Sequence, residues 1–235
     1  MTNLYLLGKR YDDTILYVDD VRFNETNTCT KIKQRFGGIN NLDDIELKKV
    51  IVSYMHRGSK EAYILSDPFT STRTSFVLTK KSSLISKDDC NLINDNADWL
   101  HICYLDDIED YQNLQSIKVP YSIDFCTNKP REQYFNILSR ANVLLDSRER
   151  KYLYDNIIID VPLILHDENG VEIIKMGKTI FTKNNTPVLN LNVNGAGDIF
   201  AALFIKNFAT YDIFKSASEA MLETTSILIK RKKNE

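Results

Sequence analysis

The residues best placed to do chemistry lie near the C-terminal end, in Asn192-Val193-Asn194-Gly195-Ala196-Gly197-Asp198, followed by the seven apolar residues Ile199–Ile205. The chain has only 8 glycines, yet two of them flank one alanine directly before an acid. The preceding stretch, Thr186–Val193, reads as a strand, and the apolar run reads as a buried helix. Gly195-Ala196-Gly197 is then a tight turn from strand to helix N-terminus. Glycine tolerates positive φ and close approach of another group, and a helix start presents unpaired N–H groups and partial positive charge. Together these make a seat for a phosphate. If Asp198 only caps the helix, it contributes about 1 kcal/mol. If a hydroxyl lies between Asp198 and the anion seat, the carboxylate can take its proton while the amides hold a transferring phosphoryl group.

The elements that must position this turn follow from periodicity. Leu4–Gly8, Ala62–Leu65, Trp99–Leu105, Tyr121–Cys126, Asn142–Asp146 and Pro162–His166 are short apolar runs bounded by polar clusters, and they read as buried strands. Helix-period segments lie between them. In Leu42–Met55, the residues Leu42, Ile45, Val50 and Met55 can share one face; Arg131–Ala141 and Ile213–Arg231 behave similarly. Buried strands alternating with helices predict a mainly parallel sheet covered on both faces. Thr14–Phe36 and Arg73–Lys81 instead alternate apolar and polar residues, as half-exposed strands do, either in a small separate sheet or in an edge hairpin.

The composition excludes several classes. At 235 residues, 43% hydrophobic and 26% charged, the chain suits a single globular domain spanning 1–235. A formal net charge of −2 gives no general attraction to nucleic acid or anionic membrane. The basic stretch Lys31–Phe36 is too short for a nucleic-acid stripe. No run of roughly 18 or more apolar residues is present, and the start resembles no signal peptide, so a cytoplasmic protein without membrane partners is expected. Cys29, Cys90, Cys103 and Cys126 have no C-x-x-C spacing and His56, His101 and His166 are scattered, which argues for reduced thiols and against zinc. P-loop, Rossmann and nucleophile-elbow glycine patterns are absent.

The segment Asn192–Phe200 resembles the D-T-x-G-A-G-D-x-F signature of the ribokinase/PfkB carbohydrate kinases, with Asn192 in place of the first aspartate and Val193 in place of the threonine. The resemblance implies a ribokinase-like three-layer α/β/α sandwich with a mainly parallel central sheet. A small β lid falls at about 14–36 and 73–81. It also implies ATP and Mg²⁺, with Asp198 as the catalytic base and Gly195, Ala196 and Gly197 as the anion hole. Asp13, five residues after Gly8, matches the family's sugar-binding aspartate. Gly37, Gly38 and Asn41 match the substrate-facing G-G-x-x-N of the heptose-kinase branch. Arg73 starts the second lid segment, where some relatives contact the sugar or its phosphate; a solvated strand-end arginine is the alternative. Asp146 and Glu149 stand where relatives carry N-x-x-E, which positions magnesium and phosphate. That assigns Asp146, Glu149 and Asn192 to the nucleotide and Glu149 indirectly to the metal, with a salt-bridged helix start as the alternative at Asp146–Glu149.

The resemblance is incomplete. Relatives carry an additional βα unit in the middle of the chain, and their T-x-G nucleotide contact is replaced by Leu165-His166-Asp167. An inward-pointing Asp167 repels phosphates unless it turns away or a cation offsets it. The expected activity is ATP-dependent phosphorylation of a hydroxyl of a sugar or sugar phosphate. The alternative is a non-catalytic sugar- or metabolite-binding relative; a third reading is a subunit acting chiefly through its lid. A homodimer through the lid is compatible with each.

Overall fold

The computed structural model describes residues 2–18, 25–38, 50–67, 72–78, 85–188, 191 and 193–233. Among these, ten strands form one sheet in the order β10-β9-β8-β7-β6-β5-β1-β3-β4, with β2 paired to β1. The strands are β1 (Thr2–Val18), β2 (Cys29–Gly38), β3 (Val50–Asp67), β4 (Thr72–Leu78), β5 (Trp99–Ile102), β6 (Tyr121–Asp124), β7 (Val143–Ser147), β8 (Leu163–Asp167), β9 (Gly170–Lys175) and β10 (Lys178–Asn184). Neighbours from β3 through β1 and β5 to β8 run parallel. An antiparallel hairpin, β9–β10, closes one edge. The helices are α1 (Lys87–Asn96), α2 (Phe135–Leu138), α3 (Ala196–Phe208) and α4 (Ile213–Lys233).

Period-2 alternation along the strands sorts their side chains onto two faces. Leu7, Leu100, Ile102, Ile123, Leu144, Leu163 and Leu165 pack with Ile93 of α1 and with Ile137 and Leu138 of α2. Leu4, Leu6, Val143, Leu145, Ile164 and Ile173 pack with α3 and α4 on the other face. Two cores on either side of a mainly parallel sheet make the expected three-layer sandwich.

The two segments expected to form a lid do not stand apart as a separate sheet. β1 and β3 continue past the central sheet, and their outer halves pair with β2 and β4. Ile15, Tyr17 and Ile64 form a small core of their own there. This corrects the helix expected to continue through Met55. Val50–Met55 belong to a strand of 18 residues, because Val50, Ile51 and Val52 are β-branched and pair with the start of β1. Residues 39–49 lie outside the described set. Arg131–Ala141 also differs: it forms a short 3₁₀ turn, Glu132–Tyr134, followed by the single-turn α2. Thr186–Val193, expected as a strand, has no regular structure among its described residues. Helix α1 begins at a reciprocal capping box of Ser86 and Asp89, a start signal that is local in the sequence.

Candidate active site

Strand parity decides which side chains can meet the glycine turn. On the α3 side of the sheet, alternate positions place Cys103 just beyond β5, Asp124 at the end of β6 and His166 near the end of β8. All three lie at the C-terminal ends of parallel strands, where open α/β sheets bind ligands.

Gly195 stands just before α3 with φ 75°, a left-handed conformation that favours glycine. The Ala196 amide donates to Val193 O (3.0 Å), which closes the turn. Its N–H is therefore already used, whereas the amides of Gly195 and Gly197 have no acceptor among the described residues. Gly197 packs beside His166, whose ring stacks on Phe200 with centroids 4.3 Å apart. Burial, then the positive charge of Arg150 with a smaller push from Arg148, lowers the pKa of His166 to about 4 against the raising effect of Asp167. The imidazole under the turn is thus neutral at physiological pH.

Asp198 lies in the first turn of α3 and is 9% exposed. Its Oδ1 accepts a short hydrogen bond from the hydroxyl of Tyr104. Tyr104 follows β5 in a left-handed conformation (φ 64°, ψ 65°). Burial, followed by the negative charge of Asp198, raises the pKa of its phenol well above the ordinary value. Burial also raises Asp124, and the next causes are the charges of Asp198 and Asp146. The two carboxyls are thus coupled, and the charge of Asp198 adds to burial in favouring the protonated form of Asp124.

A second group extends this site toward the lid. The ring of Tyr11 meets Tyr104 edge-on at 6.1 Å, and its hydroxyl donates a short hydrogen bond to Asp107. Asp13, two residues farther along the same face of β1, is buried. Its carboxylate occupies the space that a side chain at Gly37 would need. The structure therefore brings Asp13 and Gly37 together under the lid. The Tyr11–Tyr104 contact links β1, the strand that carries Asp13, to Asp198. Gly38 continues β2 opposite Arg10, and Arg73, the second residue of β4, stands opposite Ser66. Asn41 and Asn192 lie outside the described residues.

Asp146 lies on the opposite face of β7 from α3, as its parity with Leu144 requires. Its Oδ2 accepts from Nη2 of Arg131 (2.9 Å) and the hydroxyl of Tyr154 (2.8 Å). Its Oδ1 accepts from Nε of Arg150 (2.5 Å) and the amide of Ser147 (2.8 Å). Arg131 is completely buried, with its guanidinium 3.9 Å from the ring centroid of Phe125 and Nη1 3.6 Å from Asp106. This is the salt-bridged arrangement that the sequence left open, and it leaves Asp146 no free oxygen for a cation. Glu149 is exposed and has no ion pair among the described residues. No cluster of three or more His, Cys, Asp or Glu side chains suited to a metal occurs among them either. Asp167 resolves its own difficulty: Oδ1 accepts from the amides of Asn169 (2.9 Å) and Gly170 (3.0 Å) and pairs with Arg148 at 3.2 Å.

Tyr104, Asp124 and Arg131 were not singled out in the sequence. The signal available for the first two was position, since each sits at or just past the end of a parallel strand.

Comparison with solved structures places this architecture. Over 95% of its length the chain superimposes on 92% of a ribokinase from Thermotoga maritima, at a TM-score of 0.71 and 13% identity. The chain has the ribokinase fold. The ribokinase of Arabidopsis thaliana, solved with ribose and ATP, matches at TM-score 0.67 and 13% identity over 95% of this chain and 91% of that one. A Methanocaldococcus jannaschii nucleoside kinase, an archaeal member of the ribokinase family, matches at 0.62 and 17% over 94% and 91%. No family profile and no curated sequence matches the chain. These likenesses give no support to the heptose-kinase branch that the G-G-x-x-N spacing pointed to. No helix among the described residues of this ribokinase fold is long and apolar enough to cross a membrane.

Proposed function

We propose that the protein is a carbohydrate kinase that transfers the γ-phosphoryl group of MgATP to a hydroxyl of a sugar, sugar phosphate or nucleoside. The observation that carries this reading is the seat of Asp198. It is a carboxyl group in the first turn of a buried helix, directly behind two glycine amides that have no acceptor among the described residues, and it already accepts a hydrogen bond from an O–H group. The structural neighbours support this reading: they include a ribokinase complexed with ribose and ATP and a nucleoside kinase.

In this mechanism Asp13, held in shape by Gly37, orients the acceptor under the lid, with Gly38, Asn41 and Arg73 as further contacts. Asp198 takes the proton of the attacking hydroxyl as its oxygen bonds to the γ-phosphorus and the bond to ADP breaks. The amides of Gly195 and Gly197 stabilise the transferring phosphoryl, while Ala196 shapes the turn. Neutral His166 beneath the turn adds no competing charge. Glu149 and Asn192 remain assigned to the nucleotide side, and magnesium arrives with ATP as part of the donor. Positioning and electrostatics supply the catalysis.

The test is ADP release from MgATP against D-ribose, hexoses, their phosphates and nucleosides, with Asp198→Asn as control. A sugar-dependent signal that the control lacks supports the reading; a signal equal in both chains overturns it. The engagement of Asp198 by Tyr104 favours a second reading, a binding protein without phosphoryl transfer. Calorimetric sugar binding with no MgATP binding would select it. Ile32, Tyr63 and Phe76 stand exposed on the lid strands, which supports a lid-mediated homodimer, tested by sedimentation.

A further inference from the structure

We infer that the hydroxyl of Tyr104 occupies the acceptor's place on Asp198, so that the side chain acts as an internal plug that keeps water from being phosphorylated until an acceptor displaces it. This deepens the kinase reading and rests on it. Asp198 is the assigned base, and the group a base must hold is an O–H donor. In this structure that donor is the phenol of Tyr104. The phenol is one that keeps its proton, being buried and facing Asp198, Asp124 and Cys126. It therefore blocks the base without yielding a nucleophile.

The surroundings tie the plug to the acceptor site. Tyr104 holds a left-handed backbone conformation, which an L-residue with a side chain adopts only under constraint from its neighbours. Its ring rests edge-on against Tyr11. Tyr11 shares a strand face with Asp13, so an acceptor seated on Asp13 and Gly37 reaches the same strand that braces the plug. Filling the lid site and releasing Asp198 are thereby coupled through one aromatic contact. The benefit is chemical. A kinase whose base is open to water hydrolyses its donor: a water oxygen bonds to the γ-phosphorus, its proton passes to Asp198, and ADP leaves with no product made.

Two measurements test this. In Tyr104→Phe the ring remains and the hydroxyl is lost. Hydrolysis of MgATP without any sugar is expected to rise about tenfold or more, the factor associated with one hydrogen bond to a charged group. A merely structural tyrosine would leave that rate unchanged or lower it, and either result overturns the inference. The second measurement needs no catalysis. With 3-fluorotyrosine placed at 104, ¹⁹F resonances report ionisation of the phenol. The hydroxyl is expected to stay protonated to a pH at least about one unit higher beside Asp198 than in Asp198→Asn, as a neighbouring negative charge requires. Equal titration in the two proteins overturns the pairing itself. If the pairing is seen but neither the wild-type chain nor Tyr104→Phe turns over MgATP with any acceptor or with water, the kinase reading fails, and the plug with it. If sugar-dependent turnover is present and water hydrolysis does not rise, the plug alone fails.

Discussion

The carboxylate of Asp13 sits in the space that Gly37 leaves empty: a Cβ at position 37 would overlap Oδ2 of Asp13. Tyr11 is the residue paired with Gly37 across the β1–β2 ladder, so Asp13 reaches diagonally over the neighbouring strand. The contact explains why position 37, inside a strand, is a glycine although glycine is otherwise unfavourable there.

Gly37→Ala should therefore move the Asp13 carboxylate rather than unfold the protein, because the lid core of Ile15, Tyr17 and Ile64 is untouched. The expected outcome is a rise of about tenfold in KM for the acceptor, with the nucleotide dissociation constant unchanged, as follows from displacing one hydrogen-bonded charged group. Steady-state kinetics beside nucleotide calorimetry check this. Unchanged acceptor KM would remove Asp13 from the substrate site.

Two aspartates that look alike in the sequence are expected to respond in opposite ways. Asp198→Asn should cut phosphoryl transfer by about 100-fold or more. It should leave the melting temperature unchanged or raised, since it removes a charge beside buried Asp124. Asp146→Asn strips the buried guanidinium of Arg131 of its nearest counter-charge, 2.9 Å away. Breaking such a buried pair costs about 3–5 kcal/mol. Urea unfolding at pH 7 measures both variants. A stable Asp146→Asn protein that binds nucleotide poorly would return Asp146 to the nucleotide site.

Much of this was legible in the sequence where a pattern is local. The glycine turn and the buried helix behind it are encoded within Gly195–Ile205, and the strands Leu4–Gly8, Asn142–Asp146 and Pro162–His166 announce themselves by apolar runs. Long-range pairing hid the rest. Val50–Met55 has a period that a helix could use, and only its partner β1, some 48 residues earlier in register from Thr2 to Val50, makes it a strand. Asp146 and Asp124 are both acids near strand ends. Their opposite fates follow from which face of the sheet each strand presents to α3, a matter of register that one chain's sequence leaves open. Tyr104 carries no motif, and its partner lies 94 residues away.

Asp124 gives a prediction about alkaline stability. Its folded-state pKa is raised by burial first and by Asp198 next. The folded protein therefore keeps a proton that the unfolded chain has released above about pH 3.9. In that window the unfolded state binds fewer protons, so stability falls as pH rises toward the folded pKa. Asp124→Asn imitates the protonated form. It should match the wild-type protein near pH 4 and become more stable than it as pH increases, measured by urea midpoints from pH 4 to 8. Parallel curves would show that Asp124 is ionised in the folded state.

The histidines set the opposite limit. His166 is lowered to about 4 and His101 to about 3, the latter by burial alone. His101 is enclosed between strands with Nδ1 2.9 Å from Ser122 Oγ, and Nε2 has no partner among the described residues. Below the unfolded pKa of about 6.5 the unfolded chain takes up protons that both folded imidazoles refuse. Stability is then complete above pH 6.5 and declines as pH falls from 6.5 toward 4, by up to ~1.4 kcal/mol per pH unit for each histidine. His166 faces Arg150, Arg148 and Asp167, with Arg150 the stronger of the two cations in opposing protonation. Replacing it in His166→Gln should halve the histidine part of the acid slope between pH 6.5 and 4.5. The difference between the two urea series isolates that part, because every other titrating group is common to both proteins. An unchanged slope would mean that the ring beneath the glycine turn takes a proton in the folded state. The turn would then carry a positive charge of its own, and phosphate affinity would increase in the same pH interval.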